Sequence, residues 1–394
     1  MEEWSPSKKW NPFNSYKLLA QVYRWREIRR GSPVPQPSLI TVDPVNICNY
    51  KCHWCNANFI LERNKRLLDR DLLMDLADFL KRWQGSPQWP AGVESICIAG
   101  GGEPLLNPHV GQFIDRCVDH GIEVGVVTNG HQIHKFLEPL SRCTWVGISV
   151  DAGTPDSYAS LKGIEPSDFS RVCDNIRNLV DFSRRRGSTL ASDRAGYGVS
   201  YKYLLVPDNV ADVEPAIEMA ASLGCKNFHL RPAGVSWDRI RVAGPVHDTE
   251  AETRDSFTEE QKQLLESAFR KARRLENDQF GVYGVTHKFD HNFNKANVFS
   301  SCHAVFMTCV VMPPRVEGER FRLGLCCDRR GDQGLEFSGP LTEVTQIGER
   351  WSSPEHWRIR DQIDLRHCPR CTYQPHNQIY EHVIQEDSMT YKFI

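Results

Sequence analysis

From position 38 onward the chain alternates short runs rich in β-branched residues with longer stretches whose apolar positions recur at helical spacing. Runs 38–42, 93–99, 123–128, 145–150, 198–206 and 227–231 are mostly apolar throughout, as strands covered on both faces should be. Between them, 69–83, 110–120, 167–184 and 210–223 read as amphipathic helices, several led by Asp, Asn or Ser in a capping position. Such units predict an α/β fold, a parallel sheet curved into a complete or partial barrel, and six of them make a partial (β/α)6 barrel the expectation.

After Pro232 the rhythm stops. The expected organisation is an N-terminal extension over 1–37, the barrel over 38–235, and a polar connector over 236–300 with one helical stretch at 258–276. A smaller α+β domain of cysteine-bearing turns and short β segments is expected over 301–394. Lys and Arg number 48 against 50 Asp and Glu, a net charge of −2 with no basic field for a phosphate backbone, so no nucleic-acid partner is expected. No apolar run approaches the roughly 18 residues that would cross a bilayer. The first residues lack the apolar core of a secretion signal, so a soluble, cytoplasmic protein is expected. The 14 cysteines fall into clusters and singletons, which in a reducing compartment suggests metal ligation rather than a disulfide scaffold.

A parallel barrel places its chemistry on the loops that follow its strands. The loop after the first strand carries Cys48-Asn-Tyr-Lys-Cys52-His-Trp-Cys55. Three thiolates in a cubane cluster leave one iron open to a ligand, whereas a zinc knuckle would complete itself with His53 or a distant cysteine. After the second strand, Gly100–Gly102 would let a backbone approach a ligand closely, or simply turn, with Glu103 at the mouth. Asn129-Gly130 after the third strand reads as a ligand-binding loop or a turn. Asp151 after the fourth reads from the residues as a cap for the helix that follows. Lys202 and Arg231 are charges inside apolar strands, which require a partner, either a ligand carboxylate or an acid such as Glu103. Near the C-terminus stand Cys302, Cys309, Cys326-Cys327 and the pair Cys368-Pro-Arg-Cys371, whose spacing suits zinc or an iron–sulfur centre.

Cys-x3-Cys-x-aromatic-Cys after the first strand of a βα series closely resembles the radical S-adenosylmethionine (radical SAM) superfamily. The resemblance implies that Cys48, Cys52 and Cys55 hold a [4Fe–4S] cluster whose fourth iron is chelated by S-adenosylmethionine, cleaved reductively to a 5′-deoxyadenosyl radical. It further implies that Gly101, Gly102 and Glu103 receive the methionyl ammonium. Trp54, Asn129, Ser149, Asp151 and Lys202 complete the implied cofactor site, with Ser149 the preferred ribose contact. The C-terminal layout resembles the twitch domain, a shortened relative of the SPASM domain, with Cys302, Cys326, Cys368 and Cys371 as ligands of one auxiliary [4Fe–4S] cluster. Cys309 and Cys327 are then spare, and which of Cys326 and Cys327 ligates stays open.

The family implies hydrogen abstraction from an unactivated C–H bond. The expected substrate is a small polyol, aminocyclitol or sugar-containing metabolite, and the expected outcome is oxidation, as in a dehydrogenase, or epimerisation. Epimerisation would use a thiol, Cys309 or Cys327. Oxidation would use a base, among Arg231, His229, His287 and His291. Cys97, Cys117, Cys143, Cys173 and Cys225 read as core or surface residues. A low-potential donor such as flavodoxin or ferredoxin is the expected electron source. Two other readings stand beside this one: maturation of a ribosomal peptide, for which 37 leading residues are short for a leader-binding domain of roughly 80, and a non-catalytic zinc-binding interaction protein.

Overall fold

A computed structural model of the chain describes residues 21–31, 33–55, 57, 61, 65–194, 196–233, 257–284, 299–368 and 371–384. All six expected strands form: β1 (Leu39–Val42), β2 (Ser95–Ile98), β3 (Glu123–Thr128), β4 (Trp145–Ser149), β5 (Gly198–Leu205) and β6 (Asn227–Pro232). Each is parallel to the next. Three further strands extend the sheet. β7 (Gly281–Gly284) pairs parallel with β6, β8 (Thr308–Met312) pairs parallel with β1, and β9 (Arg322–Gly324) runs antiparallel to β8. The open, mostly parallel nine-stranded sheet has the order β7-β6-β5-β4-β3-β2-β1-β8-β9, a partial barrel.

The segment expected as a connector forms its expected helix, over Glu259–Ala272, and adds the strand β7. Four residues with a glycine at each end gave β7 no readable period. Likewise the C-terminal cysteine segment does not stand apart from the barrel, because β8 lies against β1 with Ile40 opposite Cys309 and Thr41 opposite Val310.

Residues alternate between two faces of each strand. Ile40, Val42, Ile96, Ile98, Val124 and Val126 pack outward and are buried under helices that include α1 (Arg70–Arg82), α2 (Val110–Asp119) and α3 (Ser167–Arg186). The Asp69 carboxylate caps α1 by accepting the Leu72 N–H at 2.8 Å. The inner face is polar by contrast, and carries Thr41, Cys97, Ser149, Lys202 and His229 at strand positions of the opposite parity. A short helix that periodicity does not reveal, α4 (Pro155–Lys162), follows β4 and is capped by Thr154 rather than by Asp151. Among the described residues, no helix is long and apolar enough to cross a membrane.

Candidate active site

The cysteine loop is held from two sides. The Lys51 and His53 N–H groups donate to the Lys162 and Leu161 carbonyls at 3.0 and 3.2 Å, so the C-terminal end of α4 clamps its middle. Its lead-in is held by the glycine loop, where the Glu103 N–H donates to the Ile47 carbonyl at 2.8 Å. Gly102 allows this approach, since a Cβ there would stand 2.3 Å from the Ile47 carbonyl oxygen. The Tyr50 N–H points at the Cys48 sulfur from 3.4 Å. Burial drives the Cys48 thiol up to about 12 and raises Cys52 as well. Neutral thiols in so dry a place become thiolates readily only when a cationic centre takes their charge.

The glycine loop and the turn after β3 are joined through Glu103, which is 2 % exposed. Its carboxylate accepts from the Thr128 hydroxyl at 2.6 Å and from the Asn129 and Leu105 N–H groups at 2.7 and 3.0 Å. Glu103 therefore pairs with backbone and hydroxyl donors, and the Lys162 charge acts on it as well. Asn129 in turn donates to the Asn49 side chain at 2.8 Å and reaches the Cys48 sulfur at 4.0 Å. Ser149 is half-buried on the inner face, in register with Lys202.

Asp151 does not cap the helix that follows it. Its φ is +64°, its carboxylate accepts the Leu204 N–H at 2.7 Å, and its other oxygen pairs with the Lys162 ammonium. Lys162, unread in the sequence, lies 5.4 Å from the centroid of the buried Trp54 ring and close enough to Cys52 and Cys48 to interact with both. Burial opposes its charge, but Asp151 together with Cys52 and Cys48 outweighs that and raises its pKa.

Lys202 reaches over Gly147, where a Cβ would stand 2.0 Å from its Cε, and its ammonium lies 5.1 Å from the Trp145 ring centroid. Its charge also acts on the Cys97 thiol of β2 across two intervening strands, as a curved sheet allows. Cys97, read from sequence as a core or surface residue, thus faces the interior together with Asp43 and Arg330. Asp43 accepts the Gly101 N–H at 3.1 Å and pairs with the Arg330 guanidinium at 2.8 Å. Arg231, at the end of β6, is exposed, and His229 is buried on the same strand face. His287 and His291 lie outside the described residues.

The C-terminal cysteines sort themselves by direction. Cys302, Cys326, Cys368 and Cys371 line one cavity, walled also by Leu325 and Tyr373. Burial raises the pKa of all four thiols, Cys302 to about 11. Cys327 faces the other way, its sulfur 3.9 Å from the Tyr373 hydroxyl and within the influence of Arg330 and Cys97 on the barrel side. Cys309 shares the outward face of Ile40. Desolvation alone raises its pKa, which is the behaviour of a small apolar core residue. Among the described residues no three Cys, His, Asp or Glu side chains converge on a single-ion position, but a cubane distributes its cysteines over different irons and needs a wider cage.

Residues 42–220 match the Radical SAM superfamily. The chain is 26 % identical over 196 residues to a probable GTP 3′,8-cyclase of Pyrobaculum aerophilum, covering 48 % of this chain and 56 % of that protein. It is 24 % identical over 251 residues to the mycofactocin maturase MftC of Mycobacterium tuberculosis, covering 59 % of this chain and 58 % of that one. The chain thus spans a little over half the length of these curated relatives. In fold it is similar to Streptococcus suis SuiB bound to S-adenosylmethionine, with a TM-score of 0.55 at 13 % identity over 84 % of this chain and 70 % of that one. Residues 42–220 are therefore a radical SAM domain, whose family brings a [4Fe–4S] cluster and S-adenosylmethionine as cofactors.

Proposed function

We propose that this radical SAM enzyme abstracts hydrogen from a small hydroxyl-bearing metabolite, a polyol, aminocyclitol or sugar derivative, and that a second cluster then exchanges one electron with the substrate radical. Cys48, Cys52 and Cys55 hold the first cluster; Cys302, Cys326, Cys368 and Cys371 hold the second. Bound together, the first cluster and S-adenosylmethionine supply the hydrogen-abstracting radical.

The observation that carries this reading is the opposed direction of Cys326 and Cys327, one toward a four-cysteine cavity and the other toward the barrel interior. A single peptide unit then separates a substrate-facing side chain from a cluster ligand. The chain's own residues fix the cysteine loop through α4, tie the glycine loop to it through Gly102 and Glu103, and line the interior with Asp43, Cys97, Ser149 and Lys202. Such a lining suits a ligand with several hydrogen-bonding groups. Loss of an electron and a proton from the substrate radical would give a carbonyl. Return of hydrogen from an inward thiol, Cys327 or Cys97, would give an epimer. The electron source is proposed to be a low-potential protein such as flavodoxin or ferredoxin.

Peptide maturation is the second reading, favoured by the likeness in sequence to a mycofactocin maturase and in fold to SuiB, which has been solved bound to its precursor peptide. Anaerobic reconstitution, iron counting and 5′-deoxyadenosine assay with reductant test the first step. About eight irons per chain and slow deoxyadenosine release are expected for two cubanes. Protein that takes up only zinc, or forms no deoxyadenosine, overturns the proposal. Candidate metabolites and peptides assayed in deuterated water then separate the outcomes, since solvent deuterium at carbon marks a thiol donor and loss of two hydrogens marks oxidation.

A further inference from the structure

The stretch Cys326-Cys327-Asp328-Arg329-Arg330 forms a wall between the barrel interior and the four-cysteine cavity, and its two arginines leave in different directions. Arg330 crosses to Asp43 beside the glycine loop. Arg329 lines the cavity, and its Nη1 donates toward the Cys368 sulfur from 3.7 Å. Its guanidinium is also paired with Asp332, and both side chains are 12 % exposed. Asp332 is held in place by its neighbours, accepting the Gly334 N–H at 3.0 Å.

We propose that Arg329 sets the reduction potential of the auxiliary centre, holding it above the value that the same four cysteines would give without it. This rests on the reading of Cys302, Cys326, Cys368 and Cys371 as ligands of that centre. Adding an electron to a thiolate-ligated cluster concentrates negative charge on its sulfurs, and a donor aimed at one of them stabilises the reduced form more than the oxidised form. A guanidinium does this at every accessible pH, because it does not lose its proton. The rest of the cavity acts in the opposite sense. Leu325, Ile363 and Leu365 exclude water, and the Asp328 carboxylate, fixed by the Thr372 N–H at 2.6 Å and hydroxyl at 3.0 Å, adds negative charge. Arg329 is the cation that offsets them, and it poises the centre to accept an electron arriving from the barrel side.

The test uses the full chain with Cys48, Cys52 and Cys55 all replaced by Ala, so that any remaining cluster is the auxiliary one. It is reconstituted anaerobically, its iron is counted, and its midpoint is read by electron paramagnetic resonance during a reductive titration. Arg329→Met in this background is expected to keep its iron and shift the midpoint to lower potential. Arg329→Lys, which keeps the charge but loses the forked geometry, should fall between the two. An unchanged midpoint in Arg329→Met at equal iron content overturns the proposal. So does loss of the cluster in both Arg329 variants while Asp332→Asn retains it at the parental midpoint, which would make Arg329 a structural strut. A triple-Ala parent that binds no iron overturns instead the reading of the four cysteines, and the tuning falls with it.

Discussion

The Lys162 ammonium and the Asp151 carboxylate form an ion pair whose side chains are only 2 % and 1 % exposed, directly behind the cysteine loop. One partner follows β4 and the other ends α4, so the pair closes a ring of structure that includes the carbonyls clamping Lys51 and His53. Lys162→Met would leave a buried carboxylate uncompensated and is expected to destabilise the fold by about 3–5 kcal/mol. Adding Asp151→Asn should restore part of that loss. Urea unfolding of the single and double variants checks the coupling, and equal stabilities would contradict it.

The auxiliary cavity makes a sharp distinction between adjacent cysteines. Cys326→Ala should cost about half of the reconstituted iron, given two [4Fe–4S] centres. Cys327→Ala should retain it. Iron analysis with visible absorption decides the matter, and the reverse pattern would move the ligand assignment to Cys327.

Gly102→Ala places a methyl carbon 2.3 Å from the Ile47 carbonyl oxygen and 2.7 Å from that of Val45. Relieving the clash must push the glycine loop away from the cysteine loop, at a cost of about 1–3 kcal/mol for overpacking. The expected result is weaker S-adenosylmethionine binding by equilibrium dialysis with the iron content maintained.

His356 is 0 % exposed, accepts the Ser352 N–H on Nδ1 at 3.0 Å, and donates from Nε2 to the Val305 carbonyl at 2.9 Å. Burial lowers its pKa to about 4, outweighing the Val305 bond. Between about pH 6.5 and 4 the unfolded chain binds a proton that the folded one refuses. Stability from this residue is therefore complete above 6.5 and is lost on acidification, by up to about 3 kcal/mol. Melting curves of wild type and His356→Gln at pH 7 and 5 test this, with the smaller pH dependence expected in the variant.

What the sequence made legible was local. Cys48, Cys52 and Cys55 lie within one loop and so could be read together, and the six principal strands carry apolar runs that could be read as strands. The Asp151–Lys162 pair was hidden because α4 is short and its amphipathic period weak, leaving Lys162 without a readable neighbour. The opposite aims of Cys326 and Cys327 depend on how one turn is oriented against a sheet, and no pattern of residue types encodes that. Cys97 reads only as a core or surface residue inside an apolar run with Ile96 and Ile98, whereas strand alternation turns it to the polar side.

Strand β8 forms the side of β1 away from β2. The hydrogen-bonding edge of β1, which leads straight into the cysteine loop, is therefore satisfied by residues more than 260 positions later. Removing everything after residue 300 would expose that edge to pairing with other chains. The truncated product should accumulate as insoluble material rather than as a working radical generator. Exchange of the C-terminal region between relatives accordingly has to carry β8 and its register with Leu39–Val42 as part of the transferred unit.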